Sequence, residues 1–344
     1  MFVLALSACG GGGGSAPPGN SFGPPVGSGT GSGPSSPSGS PASSPSASSS
    51  STPVPQSAQT YHGCSVFPGG SYYSGSIAGA SIDDHSSAYI SGAVQAGNTS
   101  GFFASTGYER VNLASNSTPL LQVHQKTSYH HFPVPYPWRS SFYIEKLVDA
   151  HAIVVDTQSC HVYESYDTTY SGALAAFSGA NWSLTKPFVP LAPDNPSSMA
   201  SGLSLFAGMV QWEDFQSGAI RHALNWAAPD GTVSHWNFVV PASDTGGSGF
   251  DGRSSYQIPF GARLRLRASF DTRGWGPQAT MVANAMKTYG IYLADVGTSG
   301  NGLYFANTVT GQNPWNLGDL SALGKITISD FDVIALPPIQ TIPH

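Results

Sequence analysis

"HAIVVDTQSCHVYESY", residues 151–166, sets the pattern that much of the chain repeats. Two runs rich in β-branched and aromatic residues flank Thr157-Gln158-Ser159, and that spacing predicts an antiparallel hairpin with a three-residue loop. A period of two places His151, Ile153 and Val155 on one face of the first strand, with Asp149 and Asp156 flanking it. The second strand brings Tyr163 and Glu164 alongside. Further strand-like segments are "LSLFAGMVQW" (203–212), "GAIRHALNW" (218–226), "SHWNFVVPA" (234–242), "RLRLRASF" (263–270) and "ITISDFDVIAL" (326–336). Frequent Gly and Pro between them fit short connections. Helical patterns are few. "PQATMVANAMKTYG" (277–290) has Pro277 in a first turn, helix formers through Lys287 and Gly290 as a stop. "DDHSSAYISGAVQA" (83–96) and "LGDLSALG" (317–324) are weaker helix patterns. No βαβ alternation appears. The expected fold is therefore mainly β: an antiparallel β-sandwich or jelly-roll-like core with a few short helices.

The N-terminal sixth reads differently. "MFVLALSACG" ends in Leu6-Ser7-Ala8-Cys9, which resembles the lipobox of bacterial lipoproteins, where the cysteine becomes the lipidated first residue. Residues 10–60 carry no charge and are dominated by Gly, Ser, Pro and Ala, a composition with too little apolar surface to offset its ordering entropy. The expected organisation is a signal remnant over 1–9, a flexible linker over 10–60 and one β-rich globular domain over 61–344. Such a chain is exported and held at the cell envelope through a lipid on Cys9.

Of the 344 residues only 9% are charged, the net charge is −6, and the first cation of any kind apart from histidine is Arg110. Phosphate backbones need clustered Lys and Arg, so nucleic acid is excluded as a partner. Arg263, Arg265 and Arg267 alternate with apolar residues and predict a solvated or salt-bridged sheet face. Cys64 and Cys160 remain for the folded part. In an exported protein they are expected to form one disulfide, the alternative being two separate buried thiols. No Cys or His spacing suggests a metal, and His130-His131 sits in a proline-rich aromatic loop without a partner at ligand spacing. No cofactor motif is present: there is no G-x-S-x-G elbow, no GxGxxG after a strand and no P-loop.

Three stretches carry candidate chemistry. If residues 218–226 form a strand, Ile220, His222, Leu224 and Trp226 face one way and Arg221, Ala223 and Asn225 the other. Two readings of His222 stand open: a buried imidazole satisfied by its neighbours, or part of a concave face that binds sugars. His151 with Glu164 one hairpin away is raw material for acid–base work, since low-dielectric surroundings move either pKa towards neutrality. Asp295 ends an apolar strand before a Gly/Ser-rich loop, where it is either an exposed functional carboxylate or an Asx cap. Tyr289 precedes it, and Trp315 could close the side of such a site.

From about Cys64 to Leu336 the chain resembles a family of secreted, mostly uncharacterised bacterial proteins with three motifs. The first is G-x-I-[RK]-H-A-L, matched by Gly218, Ile220, Arg221, His222, Ala223 and Leu224. The second is D-R-H-x-[IVL]-V-[IV]-D leading to C-x-L-Y-E, matched by Asp149, His151, Val155, Asp156, Cys160, Tyr163 and Glu164. The third is K-x-Y-G-M-x-L-A-D-N-G, matched by Lys287, Tyr289, Gly290, Leu293, Ala294, Asp295 and Gly297. Ala150 stands where the family has arginine, Val296 where it has asparagine, and "HHFPVPYPW" where it has "DPGPYPIP". The resemblance implies a shared domain and lends no reaction.

The leading functional expectation is a surface-tethered polysaccharide hydrolase. Glu164 and Asp295 would be acid and base or nucleophile, His151 and His222 would tune them or orient hydroxyls, and Arg221, Trp226, Tyr289 and Trp315 would bind the glycan. A polysaccharide lyase is a variant. A non-catalytic glycan-binding module or adhesin on a stalk needs no convergent acid and base, so the meeting of these residues in one cleft separates the readings.

Overall fold

The computed structural model describes residues 59–127, 132, 134–147, 149–193, 195–245, 256–297 and 300–342. Cys9, the linker up to residue 58 and the His130-His131 pair lie outside the described residues.

The strands that carry the core are, in chain order, β1 (Phe102–Ser105), β2 (Val111–Ala114), β3 (Ala152–Asp156), β4 (His161–Tyr166) and β5 (Ser178–Ser183), then β6 (Leu224–Pro229), β7 (Arg263–Leu266), β8 (Ile291–Gly297), β9 (Asn301–Tyr304) and β10 (Phe331–Val333). One sheet has the spatial order β5-β4-β3-β2 and the other β10-β7-β8-β6-β9-β1. The β3–β4 hairpin is antiparallel, as expected, with Asp156 opposite His161. Its turn holds four residues rather than three, because Cys160 adopts a left-handed φ of 50° and stays in the turn. The pairs β2–β3, β6–β8 and β1–β9 are parallel, so both sheets are mixed.

The helices used below are α1 (Ser86–Gln95), α2 (Leu205–Gly208), α3 (Trp212–Gln216) and α4 (Pro277–Thr288). Pleat alternation assigns each strand to its layers. Ile153 and Val155 of β3 pack with Val111, Val162 and Trp182 against Tyr292 and Ala294 of β8, forming the core between the two sheets. Ala152 and Val154 face the other way, onto Tyr136, Trp138 and Leu174. A strand buried on both faces explains the unbroken run Ala-Ile-Val-Val. Ile291 and Leu293 of β8 point away from the first sheet, into a core closed by Tyr89 and Ile90 of α1 and Val282 and Met286 of α4. The protein is thus mainly β, a sandwich of two sheets with α1 and α4 on one outer face.

Capping overrode strand propensity at residues 203–212. Ser204 accepts a hydrogen bond from the Ala207 N–H and starts α2, while Gln211 and Asp214 form a reciprocal cap that starts α3. Gly218 follows α3 with φ +81°, so the chain enters β6 only at Leu224 and the strand expected from residue 218 is six residues shorter at its start. The helix α4 begins at Pro277 as expected, and Gly290 ends it. A Cβ at Gly290 would come within 2.4 Å of the Leu264 carbonyl oxygen, and its φ of +75° also requires glycine.

The arginine face of β7 is a clamp. Arg263 donates to the carbonyls of Gly75 and Tyr289, Arg265 to those of Ile77, Ala78 and Ala80, and Arg267 to Asp332 and the Ser329 and Phe331 carbonyls. Cys64 and Cys160 are bridged, with their Cα atoms 5.5 Å apart, which ties the first described hairpin to the β3–β4 turn.

Candidate active site

A one-residue irregularity in β8 builds the site. Its partners on β6 run Leu224 to Ile291, Asn225 to Tyr292 and Trp226 to Leu293, and then Ala227 to Asp295. Ala294 is passed over, a β-bulge. Strict alternation would send Asp295 to the side of Ile291 and Leu293, under the helices. The extra residue returns it to the side of Tyr292 and Ala294, facing the first sheet. His151, which precedes β3 on the face of Ile153 and Val155, comes from the opposite sheet and its charge acts on Asp295.

Around His151 the groups are closely spaced. One ring nitrogen, Nε2, lies 3.0 Å from the Ser198 carbonyl, and the other, Nδ1, lies 2.9 Å from Glu145 Oε2 without being aligned for a hydrogen bond. Glu145 Oε2 also accepts the His151 backbone N–H at 3.1 Å. Glu109, just before β2, completes a set of three buried groups whose donor atoms all lie within 4.8 Å of one another. Burial would lower the His151 pKa, but the adjacent Glu145 carboxylate, with Glu109 and Asp149, pushes it up to about 9. Burial, then the charge of Glu145, raises Glu109 to about 8. For Glu145 burial is outweighed by His151, and the carboxyl ends below its ordinary range. Burial raises Asp295 to about 6, against the Val296 and Ala200 backbone hydrogen bonds that favour its charged form.

The rim reaches solvent. Asp149 is exposed, and Asp295 and Tyr304 are half-buried. Tyr304 feels Asp295 and Glu109, Tyr166 feels Asp149 and Asp295, and Tyr143 feels Glu145 and Glu109, so three tyrosines surround the carboxyl groups. Among the described residues His151 is the cation paired with this acidic group, with no Lys or Arg within ion-pair distance. Ala150, between Asp149 and His151, holds a left-handed φ of 45°, a conformation costly for alanine.

Glu164 belongs beneath the site rather than in it. Its carboxylate is fully buried and accepts from Ser198 Oγ at 2.8 Å, Ser204 Oγ at 2.5 Å and the backbone N–H groups of Leu205 and Phe206 at 2.8 and 3.0 Å. Four donors leave it no oxygen for substrate, which corrects its expected catalytic role. Its work is positional: it holds the segment whose Ser198 carbonyl meets His151 and whose Ala200 N–H meets Asp295.

His222 is the buried imidazole of the two open readings. It stacks on Phe67 at 4.6 Å, its Nε2 lies 3.2 Å from Asp214 Oδ2, and its Nδ1 lies 2.8 Å from the Ala223 carbonyl. Asp214 is itself sealed, bonded also to the Gln211 N–H and the Gln59 amide. Trp226 and Trp315 are likewise core residues, their indole N–H groups donating to Asn301 Oδ1 and the Ala306 carbonyl. None of the three is placed to touch a ligand. Arg221 and Tyr289 do share a surface groove of about 730 Å³ with Trp275, Thr280 and Asn284, but its lining includes no member of the acidic group.

Of the expected catalytic residues, the structure unites His151 and Asp295. The sequence reading missed Glu109, Glu145 and Tyr304. Glu145 lies six residues before His151, in "YIEKLVDAH", and the acidic spacing Glu145, Asp149, His151 was the signal available. Glu109 and Tyr304 arrive through parallel pairings and gave none. Comparisons with family models, curated proteins and solved structures return no match.

Proposed function

We propose that the protein is an exported, surface-tethered carbohydrate-active hydrolase working at the acidic group between the two sheets. The carrying observation is the convergence of Glu109, Glu145, Asp149 and Asp295 on a single histidine cation, rimmed by Tyr143, Tyr166 and Tyr304. Structural carboxylates are usually neutralised by Arg or Lys, whereas crowding without such cations characterises acid–base sites. Tyrosine faces and edges around carboxyl groups suit a pyranose, offering apolar contact and hydrogen bonds together.

In this reading Asp295 is the general acid and the exposed Asp149 the base or nucleophile, replacing the pair first expected. The neutral form of Asp295 donates to a leaving oxygen, and Asp149, whose pKa burial also raises, acts in its charged form. His151, beside Glu145 and Ser198, favours the charged form of both carboxyls against the burial that raises them. The disulfide supports an oxidising compartment and hence export, while the lipid anchor on Cys9 rests on the lipobox resemblance.

The test is a screen of polysaccharides with the purified protein, scored for new reducing ends, beside Asp295→Asn and Asp149→Asn. Turnover of one substrate, lost by ~100-fold or more in both variants, is the expected result. Absence of product from every polysaccharide, or equal rates in the variants, overturns it. A second reading, a glycan-binding module, is favoured by the separate groove of Arg221, Trp275 and Tyr289. Binding lost in Trp275→Ala, without hydrolysis by any form, selects that one.

A further inference from the structure

We propose that Glu109, Glu145 and His151 form a site for one divalent transition-metal ion of zinc-like preference. Two carboxylates and an imidazole bring their donor atoms within 4.8 Å of one another, and all three residues are buried. Tetrahedral zinc at about 2.0–2.2 Å from O and N ligands needs donor separations of about 3.3 Å. The donor atoms lie within 4.8 Å of one another, and binding would draw them to that spacing.

An independent observation points to a ligand. Glu109 is only 4% exposed, and its Oε2 has no hydrogen-bond partner. Leaving a buried carboxylate oxygen unmatched costs more than a lost hydrogen bond, and a native protein rarely keeps one without a use. A cation between Glu109 and Glu145 removes both the orphaned oxygen and the repulsion of two buried acids. A metal ion would take the place of the His151 Nδ1 proton: Nε2–H keeps its bond to the Ser198 carbonyl, and Nδ1, 2.9 Å from Glu145 Oε2 and off the line of a hydrogen bond, presents its lone pair to the two acids. The imidazole in the donor set selects zinc and its transition-metal neighbours over calcium and magnesium, which prefer all-oxygen shells. Three protein ligands leave a fourth position for water, and Asp295 and Tyr304, near Glu109, are only half-buried. The inference concerns binding and stands whichever reaction the cleft performs.

The full chain, its disulfide intact, is stripped with chelator and titrated with zinc chloride against a chromophoric competitor, with bound metal counted by mass spectrometry. One zinc per chain is expected, with affinity falling at least tenfold in Glu109→Gln and unchanged in Glu213→Gln. The latter removes the partner of His62, a surface His–Glu pair at 3.3 Å that would take adventitious zinc. Less than a tenth of an equivalent bound, or binding lost in Glu213→Gln and kept in Glu109→Gln, overturns the site. If Glu109→Gln does not fold, X-ray absorption on zinc-loaded His62→Gln protein decides. A shell with imidazole and oxygen donors supports the site, and a shell without imidazole overturns it.

Discussion

Glu164 and Ser198 are joined at 2.8 Å through the Ser198 hydroxyl, while the carbonyl of the same serine faces His151 Nε2 at 3.0 Å. One residue thus links a sealed carboxylate to the imidazole at the centre of the acidic group. Glu164 therefore affects the cleft without entering it.

Replacing Glu164 by alanine strands four donors in the core and is expected to cost about 3–5 kcal/mol of stability. Glu164→Gln keeps two acceptor lone pairs and should cost less. Chemical denaturation measures both, and a loss under 1 kcal/mol for Glu164→Ala would contradict the anchoring role.

His222→Ala should also destabilise, by about 2–4 kcal/mol, because it strands the sealed Asp214 and removes the stack on Phe67. At a temperature where the variant stays folded, its rate on any substrate of the cleft should match the parent protein. A rate loss above tenfold with unchanged structure would return His222 to the site.

Asp295 predicts a pH signature. Its carboxyl titrates at about 6 in the fold against about 3.9 in an unfolded chain. Between those values the native state holds a proton that the unfolded state has released. Its contribution to stability is therefore full below pH ~4, falls as pH rises towards 6, and is constant above. Asp295→Asn, compared with the parent protein in chelator, should flatten the fall across that window and gain stability at pH 7. Parallel stability curves for the two proteins would show that the raised pKa is absent.

Removing the disulfide by Cys64→Ser with Cys160→Ser releases a loop spanning 96 residues of sequence separation. The chain-entropy relation gives a loss of about 4–5 kcal/mol. Thermal unfolding with and without reductant should show the same loss in the parent protein.

How much of this was legible in the sequence depended on range. The β3–β4 hairpin, α1, α4 and the cysteine pair were readable because period, helix start and stop residues and a count of two cysteines are local or compositional signals. Residues 203–212 were misread as a strand because their buried apolar character fits either structure and the Ser204 cap is a single hydroxyl. His151 and Asp295 were found as residues with chemistry at strand ends. Their meeting was not readable, because it depends on a bulge at Ala294 and on parallel pairings that no window of sequence displays. The sealing of Glu164 and His222 was equally hidden, since their partners Leu205, Phe206 and Asp214 approach through the tertiary fold.

The bulge at Ala294 has an evolutionary consequence. The side of the sheet on which Asp295 emerges is fixed by how many residues precede it, not by which residues they are. Point substitutions along β8 leave that count intact, whatever they cost in packing. Loss or gain of a single codon between Leu293 and Asp295 does not, for it would turn the carboxylate under the helices in one step. A lineage that shed this residue would keep a foldable sandwich and be left without an acid in the cleft.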